Sequence, residues 1–131
     1  MPNNFWVFPF EIAEIAYSLR VTEKSDVYSY GVVLLELLTR KMAVDPCFED
    51  GDDIVRWVKQ RLEDSGNPYG VMDEVMDYWM ENDRDEAAEV LGLAVNCCES
   101  MPDARSSMRE VVDQLVKVKS RRRHAERKDN I

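Results

Sequence analysis

From Asp26 to Leu38 almost every position is apolar: Val27, Tyr28, Tyr30, Val32, Val33, Leu34, Leu35, Leu37 and Leu38, interrupted only by Ser29, Gly31 and Glu36. Val and Tyr also suit a strand, but the length of the run and its Leu-Leu-Glu-Leu-Leu ending predict a helix. A helix that is apolar all round belongs in a core, so this one is expected to be buried. Asp45-Pro46 and the acidic loop from Glu49 to Asp53 then separate it from Ile54, Val55, Trp57, Val58 and Leu62, which share one face of a second, amphipathic helix. Ser65-Gly66-Asn67-Pro68 predicts a turn, and Val71, Met72, Val75 and Met76 predict a short helix or an irregular packed segment.

Asp83 to Cys98 predicts a further helix. Ala87, Ala88, Leu91, Ala94, Val95 and Cys98 fall on one face, and Asp85, Glu86 and Glu89 lie near the end where the helix dipole favours anions. After a turn at Pro102, Ser107-Met108-Arg109-Glu110 has the form of a capping box: the serine oxygen can accept from the Glu110 backbone N–H while Glu110 reaches back. The last helix then runs through Val111, Val112, Leu115, Val116 and Val118. No internal repeat and no run of strands interrupts this series, so the fold class expected is all-α.

Length and charge narrow the function classes. A chain of 131 residues holds one ordinary domain at most, and 45% hydrophobic with 33% charged residues is a globular composition. The net charge of -9 opposes a broad phosphate-binding surface, so no nucleic-acid partner is expected. That charge is uneven: residues 45–100 hold 16 acids and 4 bases, while 117–131 hold 7 bases and 2 acids. The stretch from Ser120 to Lys128 is read as a solvated helix end, ahead of a contact for acidic lipid headgroups or an import or nucleic-acid signal. The apolar stretch at Val32 to Leu35 is far short of the ~20 residues that cross a bilayer. The N-terminal apolar segment carries Pro9 and no basic residue ahead of it, unlike a signal peptide. A cytoplasmic chain without a transmembrane span is therefore expected. Cys47, Cys97 and Cys98 form neither an even disulfide set nor a Cys-x-x-Cys spacing, and are expected to be buried free thiols.

From Glu14 to Lys41 the chain reads Glu-Ile-Ala-Tyr-Ser-Leu-Arg-Val-Thr-Glu-Lys-Ser-Asp-Val-Tyr-Ser-Tyr-Gly-Val-Val-Leu-Leu-Glu-Leu-Leu-Thr-Arg-Lys. This closely resembles plant receptor-like Ser/Thr protein kinases, most of all the leucine-rich-repeat receptor class. In that family an Ala-Pro-Glu motif closes the activation segment, and Ser-Asp-Val-Tyr-Ser-x-Gly, twelve residues on, opens the central helix of the large lobe. Glu14 and Asp26 have that separation, and Gly31 closes the second segment. Asp53 to Trp57 is similar to the family's Asp-Ile-Val-x-Trp element, and Cys97 to Val112 to its Cys-x(n)-Asp-Pro-x-x-Arg-Pro-x-Met-x-x-Val-Val ending. The resemblance implies a partial kinase C-lobe over 11–119, a central buried helix with peripheral helices around it, between an unmatched segment 1–10 and a basic tail 120–131.

By the same resemblance, Glu14 would pair with Arg105, since a partly buried carboxylate that loses its partner is stranded at several kcal/mol. Asp26, at the start of the central helix, would accept hydrogen bonds from the catalytic-loop backbone and hold it rigid. Without the resemblance Asp26 reads as a helix N-cap. The chain departs from the pattern in three places. Ala13 stands where the motif proline belongs, or that proline is deleted, Met101 replaces an acidic residue, and Ser106 replaces the proline after the arginine. Upstream of Glu11 the match to an activation segment ends, which suggests a truncated or misjoined reading frame.

Phosphoryl transfer needs a glycine-rich loop and a lysine for the phosphates, an Asp-Phe-Gly aspartate for metal, and a catalytic-loop aspartate. Gly31, Gly51, Gly66, Gly70 and Gly92 never form Gly-x-Gly, none of Phe5, Phe8, Phe10 and Phe48 follows an aspartate, and the single His124 precedes Ala125-Glu126 rather than Arg-Asp. The acidic run from Glu49 to Asp53 lacks calcium-loop spacing, and no Gly-x-Ser-x-Gly occurs. No catalytic, cofactor-binding or metal residue is therefore assigned to this chain, whereas the family it resembles uses ATP and magnesium. The expected function is that of a non-catalytic part of a receptor-like Ser/Thr kinase whose parent signals at the cytoplasmic face of the plasma membrane, with protein partners engaging exposed lobe surface. The alternatives are an interaction module that competes with the intact kinase, or an excerpt of an active kinase whose N-terminal exons are missing.

Overall fold

Leu34, Leu35 and Leu38, with Val27 a turn or two earlier, form the buried side of the first helix, and the rest of the chain folds against that side. The computed structural model describes the backbone of residues 4–49, 51–76 and 80–129, without the side chains of 4–18, 20, 21, 73–76, 81, 82, 125 and 129. Among the described residues there are five α-helices and no strand: α1 (Asn4–Thr39), α2 (Ile54–Ser65), α3 (Tyr69–Met76), α4 (Glu81–Cys97) and α5 (Met108–Asp129), with a 3-10 turn at Pro102–Ala104 between the last two. The all-α expectation holds.

The buried helix predicted over 26–38 is the C-terminal part of α1, which begins far upstream. Its apolar surface is not enclosed on every side as the all-round pattern predicts. Val33 is 50% and Leu37 68% exposed, on the face opposite Leu34, Leu35 and Leu38. The reason is one of supply: α2, α3 and α4 all pack against α1, and no described element covers its other flank. At its end the Thr39 hydroxyl donates to the Leu35 carbonyl at 2.7 Å, and Arg40 takes a left-handed backbone with φ 60°.

Asp53 caps α2 by accepting from the Arg56 N–H at 3.0 Å, and Gly66, with φ 72°, ends it by donating to the Leu62 carbonyl at 2.9 Å. Ile54, Val55 and Val58 are the buried face. Trp57 lies at its edge against Phe48, with the Lys41 ammonium and the Arg61 guanidinium 5.1 and 5.0 Å from its ring centre. The ambiguous segment after the Ser65–Pro68 turn is a helix, α3, and it buries Val71 and Met72.

The expectation of three buried thiols is corrected at one position. Cys97 and Cys98 are buried, but Cys47 is exposed. In the turn from Asp45 to Phe48 the aromatic ring takes the inward position, while the Cys47 N–H donates outward to Asp45 at 3.0 Å. At α5 the Ser107 oxygen accepts from the Glu110 N–H at 3.2 Å as the capping box requires, and its hydroxyl faces the Glu110 carboxylate at 3.3 Å. The helix then continues unbroken through the basic stretch to Asp129.

Candidate functional site

The resemblance singles out Glu14, Asp26, Gly31 and Arg105, and two of these meet at one junction. There α1 crosses the C-terminal end of α4, beneath the loop that leads to α5. Gly31 is the point of closest approach: a Cβ placed on it would sit 2.7 Å from both Cys97 Cβ and Cys98 Sγ and 3.0 Å from the Ala94 carbonyl oxygen. Only a residue without a side chain lets the two helices come this close. Val27 on α1, Cys97 on α4 and Val111 on α5 close a small apolar cluster beside the crossing.

Arg105 locks the junction from the loop. Its Nε donates to the Glu99 carbonyl at 2.8 Å, one terminal nitrogen donates to the Lys24 carbonyl at 3.0 Å, and the guanidinium lies 4.8 Å from the centre of the Tyr28 ring. The contact is reciprocal, because the Lys24 ammonium donates to the Arg105 carbonyl at 2.7 Å. The planar fork of Arg suits this task; an ammonium could not serve two carbonyls and a ring at once. The side chain of Glu14 lies outside the described residues, and with it the pairing with Arg105. Asp26, expected at a helix start, lies well inside α1 because the helix extends upstream to Asn4. It is exposed, with no hydrogen bond or ion pair among the described residues.

Two further contacts were not legible as such in the sequence. Asn96 Oδ1 accepts from both the backbone N–H (2.9 Å) and the hydroxyl of Ser106, and the Asn96 amide donates to the Ala104 carbonyl at 3.4 Å. Ser106 is the residue that departs from the family's proline, and a proline would have no N–H to give. That departure was the available signal. Lys59 reaches from α2 to donate to the Cys98 carbonyl at 3.0 Å, placing a cation at the C-terminal end of α4.

The electrostatics of the junction are those of a structural joint. Burial raises the Cys98 thiol to about 12, burial also raises Cys97, and burial raises the Tyr28 hydroxyl. None of these is poised to exchange protons near neutral pH. The clefts along α4 and α5 are of about 240 and 320 Å³; neither is lined by a lysine or a glycine, and in the second the Asp83 and Glu86 carboxylates are already held by Arg122. Among the described residues no group of three or more His, Cys, Asp or Glu could hold a metal ion. Among the described residues, neither cleft brings together the phosphate cradle, cation and free carboxylate ligands that ATP with magnesium requires.

Residues 5–115 match the family described as protein tyrosine and serine/threonine kinase, and the chain belongs to that family. It is 42% identical over 109 residues to the LRR receptor-like serine/threonine-protein kinase RGI1 of Arabidopsis thaliana, which covers 83% of this chain and 9% of that protein. With the LRR receptor-like serine/threonine-protein kinase GSO1, also of Arabidopsis thaliana, it shares 40% identity over 124 residues, 92% of this chain and 10% of that protein. Among solved structures it is similar to the pseudokinase domain of BIR2, an immune regulator of the RLK/Pelle family. The TM-score is 0.57 and the identity 33%, over 76% of this chain and 29% of that one. The chain thus spans about a tenth of the length of these curated relatives and corresponds to part of a receptor-like Ser/Thr kinase domain, on the helical side of its C-lobe. Among the described residues no helix is long and apolar enough to cross a membrane.

Proposed function

We propose that these 131 residues serve as the non-catalytic floor of a receptor-like Ser/Thr kinase domain. The whole protein would transfer phosphate from ATP to protein Ser or Thr at the cytoplasmic face of the plasma membrane, and this segment by itself would transfer none. The observation that carries the reading is the division of labour in the chain: Gly31 and Arg105 sit in a closely fitted joint, whereas the glycine-rich loop, Asp-Phe-Gly and the catalytic-loop aspartate have no counterpart in these residues. Asp26, exposed on α1, is then available to accept backbone N–H groups of a catalytic loop that packs over it, and Glu14 to strengthen the hold on Arg105. ATP and magnesium would be held by residues outside this sequence.

The test is a phosphorylation assay on the purified chain with ATP, magnesium and a generic basic protein substrate. No incorporation above background is expected, and magnesium-dependent incorporation overturns the reading. The mass of the native polypeptide in its source tissue, by an antibody to residues 45–80 and peptide mapping, supplies the second arm. Full receptor size with Asp-Phe-Gly peptides places the segment inside an active kinase; a product near 15 kDa assigns it a non-catalytic role.

A second reading is favoured by the open flank of α1. Val33 and Leu37, one helical turn apart and both at least half exposed, are where a protein partner would compete with the rest of the lobe. A discrete, saturable partner whose binding is lost in Leu37→Glu supports that module; aggregation without saturation rejects it.

A further inference from the structure

Six of the eight lysines and arginines of α5 fall into two sets, with Lys117 and Lys128 exposed outside both. On the side facing the bundle, Arg121 forms a two-pronged pair with Glu89, and Arg122 reaches Asp83 at 3.0 Å and Glu86 at 3.2 Å on α4. On the opposite side, Arg109, Lys119, Arg123 and Arg127 are all exposed, and their side chains make no hydrogen bond or ion pair among the described residues. Spacings of three and four place these four on one stripe with Val112 and Val116, which are 55% and 54% exposed. At 1.5 Å per residue the stripe is about 27 Å long.

We propose that this outer stripe of α5 docks on a bilayer surface rich in anionic phospholipid. An unpartnered cationic line on a chain with a net charge of -9 needs an anionic partner, and the sense of the charge is the first argument for one. Shape is the second. The stripe runs along one helix, and the two clefts beside α5 are lined by other residues of that helix, Gln114, Val118 and Arg122. Such a surface offers spread charge and two short apolar side chains, and none of its residues lines either cleft, which suits a lipid headgroup layer better than a protein's anchor residues. The overall negative charge does not oppose this. The facing acids of α4, Asp83, Glu86 and Glu89, are paired with Arg121 and Arg122, and charges farther off than a screening length of about 10 Å at 0.1 M salt act on the stripe only weakly. Asp113 and Glu126 border the stripe, and Glu126 is held by Arg122 at 3.3 Å. This inference stands independently of the kinase reading.

The full chain is sedimented with vesicles of phosphatidylcholine alone and of phosphatidylcholine with about one third phosphatidylserine. Binding to the anionic vesicles only, falling as salt rises, is expected. At about 1 kcal/mol per basic residue near the surface, Arg123→Gln with Arg127→Gln should weaken partitioning about 25-fold, and Ser120→Glu, which places an anion beside the stripe, by at least fivefold. Arg56→Gln with Arg61→Gln removes the same charge from α2 and should leave binding within twofold, circular dichroism confirming helicity in each variant. Equal binding to neutral vesicles, no binding to anionic ones, an equal loss in the α2 control, or tighter binding to an acidic polypeptide such as polyglutamate would each overturn the proposal.

Discussion

The two joints of α4 are made in opposite ways. Where α4 meets α1, contact is through a glycine, two buried thiols and backbone carbonyls served by one arginine. Where α4 meets α5 beyond Leu115, polar contact is through ion pairs between side chains that are one quarter to two thirds exposed. The first joint excludes water, so shape and unmet hydrogen bonds set its energy, and small changes are costly. The second is bathed in solvent, where each pair contributes little and is screened by salt. The lesson is that the abundance of charge on α4 and α5 says little about what holds the fold; the sparse polar atoms at the crossing matter more.

The largest expected effect tests the crossing itself. Gly31→Ala should destabilise by about 1–3 kcal/mol and Gly31→Val by more, since a Cβ there meets two side chains and a carbonyl at 3.0 Å or less. Denaturant titration measures this, and a neutral Gly31→Ala would show that the helices are not in contact. Arg105→Ala should cost about 2–3 kcal/mol by leaving the Glu99 and Lys24 carbonyls without their donors and removing the guanidinium from Tyr28, with Arg105→Lys recovering less than half. Ser106→Pro should cost about 1–2 kcal/mol by deleting the N–H that Asn96 accepts.

Alkaline pH sharpens the comparison further. In the unfolded chain the Cys98 thiol ionises near its ordinary value of 9, while burial in the fold holds it up to about 12. This stabilising contribution is therefore fully present below about pH 9 and is lost as pH rises toward 12, with Cys97 and Tyr28 shifted in the same direction. The fall in unfolding free energy between pH 9 and 11 should be shallower in Cys98→Ala, and a thiol reagent should label Cys47 in the folded chain but Cys97 and Cys98 only after unfolding. The smallest effect belongs to the solvated joint. Arg122→Gln should lower stability only slightly, lose that effect in high salt, and show up in hydrogen exchange as fraying of α5 after Val118, with the α1–α4 crossing untouched.

Much of the architecture was legible because local rules decide it. Asp53 and Gly66 bound α2 as a cap and a left-handed stop, the Ser107 cap opens α5, and the spacing of Ala87, Leu91 and Ala94 marks the buried face of α4. The resemblance brought Gly31 and Arg105 into view as candidates. It could not show what they touch, because Arg105 acts on backbone carbonyls, which every residue carries and no sequence pattern distinguishes. Cys47 was misplaced for a related reason: its type suits burial, but the turn has one inward position and Phe48 fills it.

The sequence by itself determined the helical periods, their caps, the acidic and basic division of the chain and its kinship with receptor-like kinases, since each of these is written in residue type and spacing. Only the tertiary structure decided which flank of α1 is covered, which arginines of α5 are consumed by α4 and which are left facing outward. Those outcomes depend on how many elements are at hand to pack against a given face. An apolar or charged side chain carries the same code whether or not a neighbour arrives to meet it.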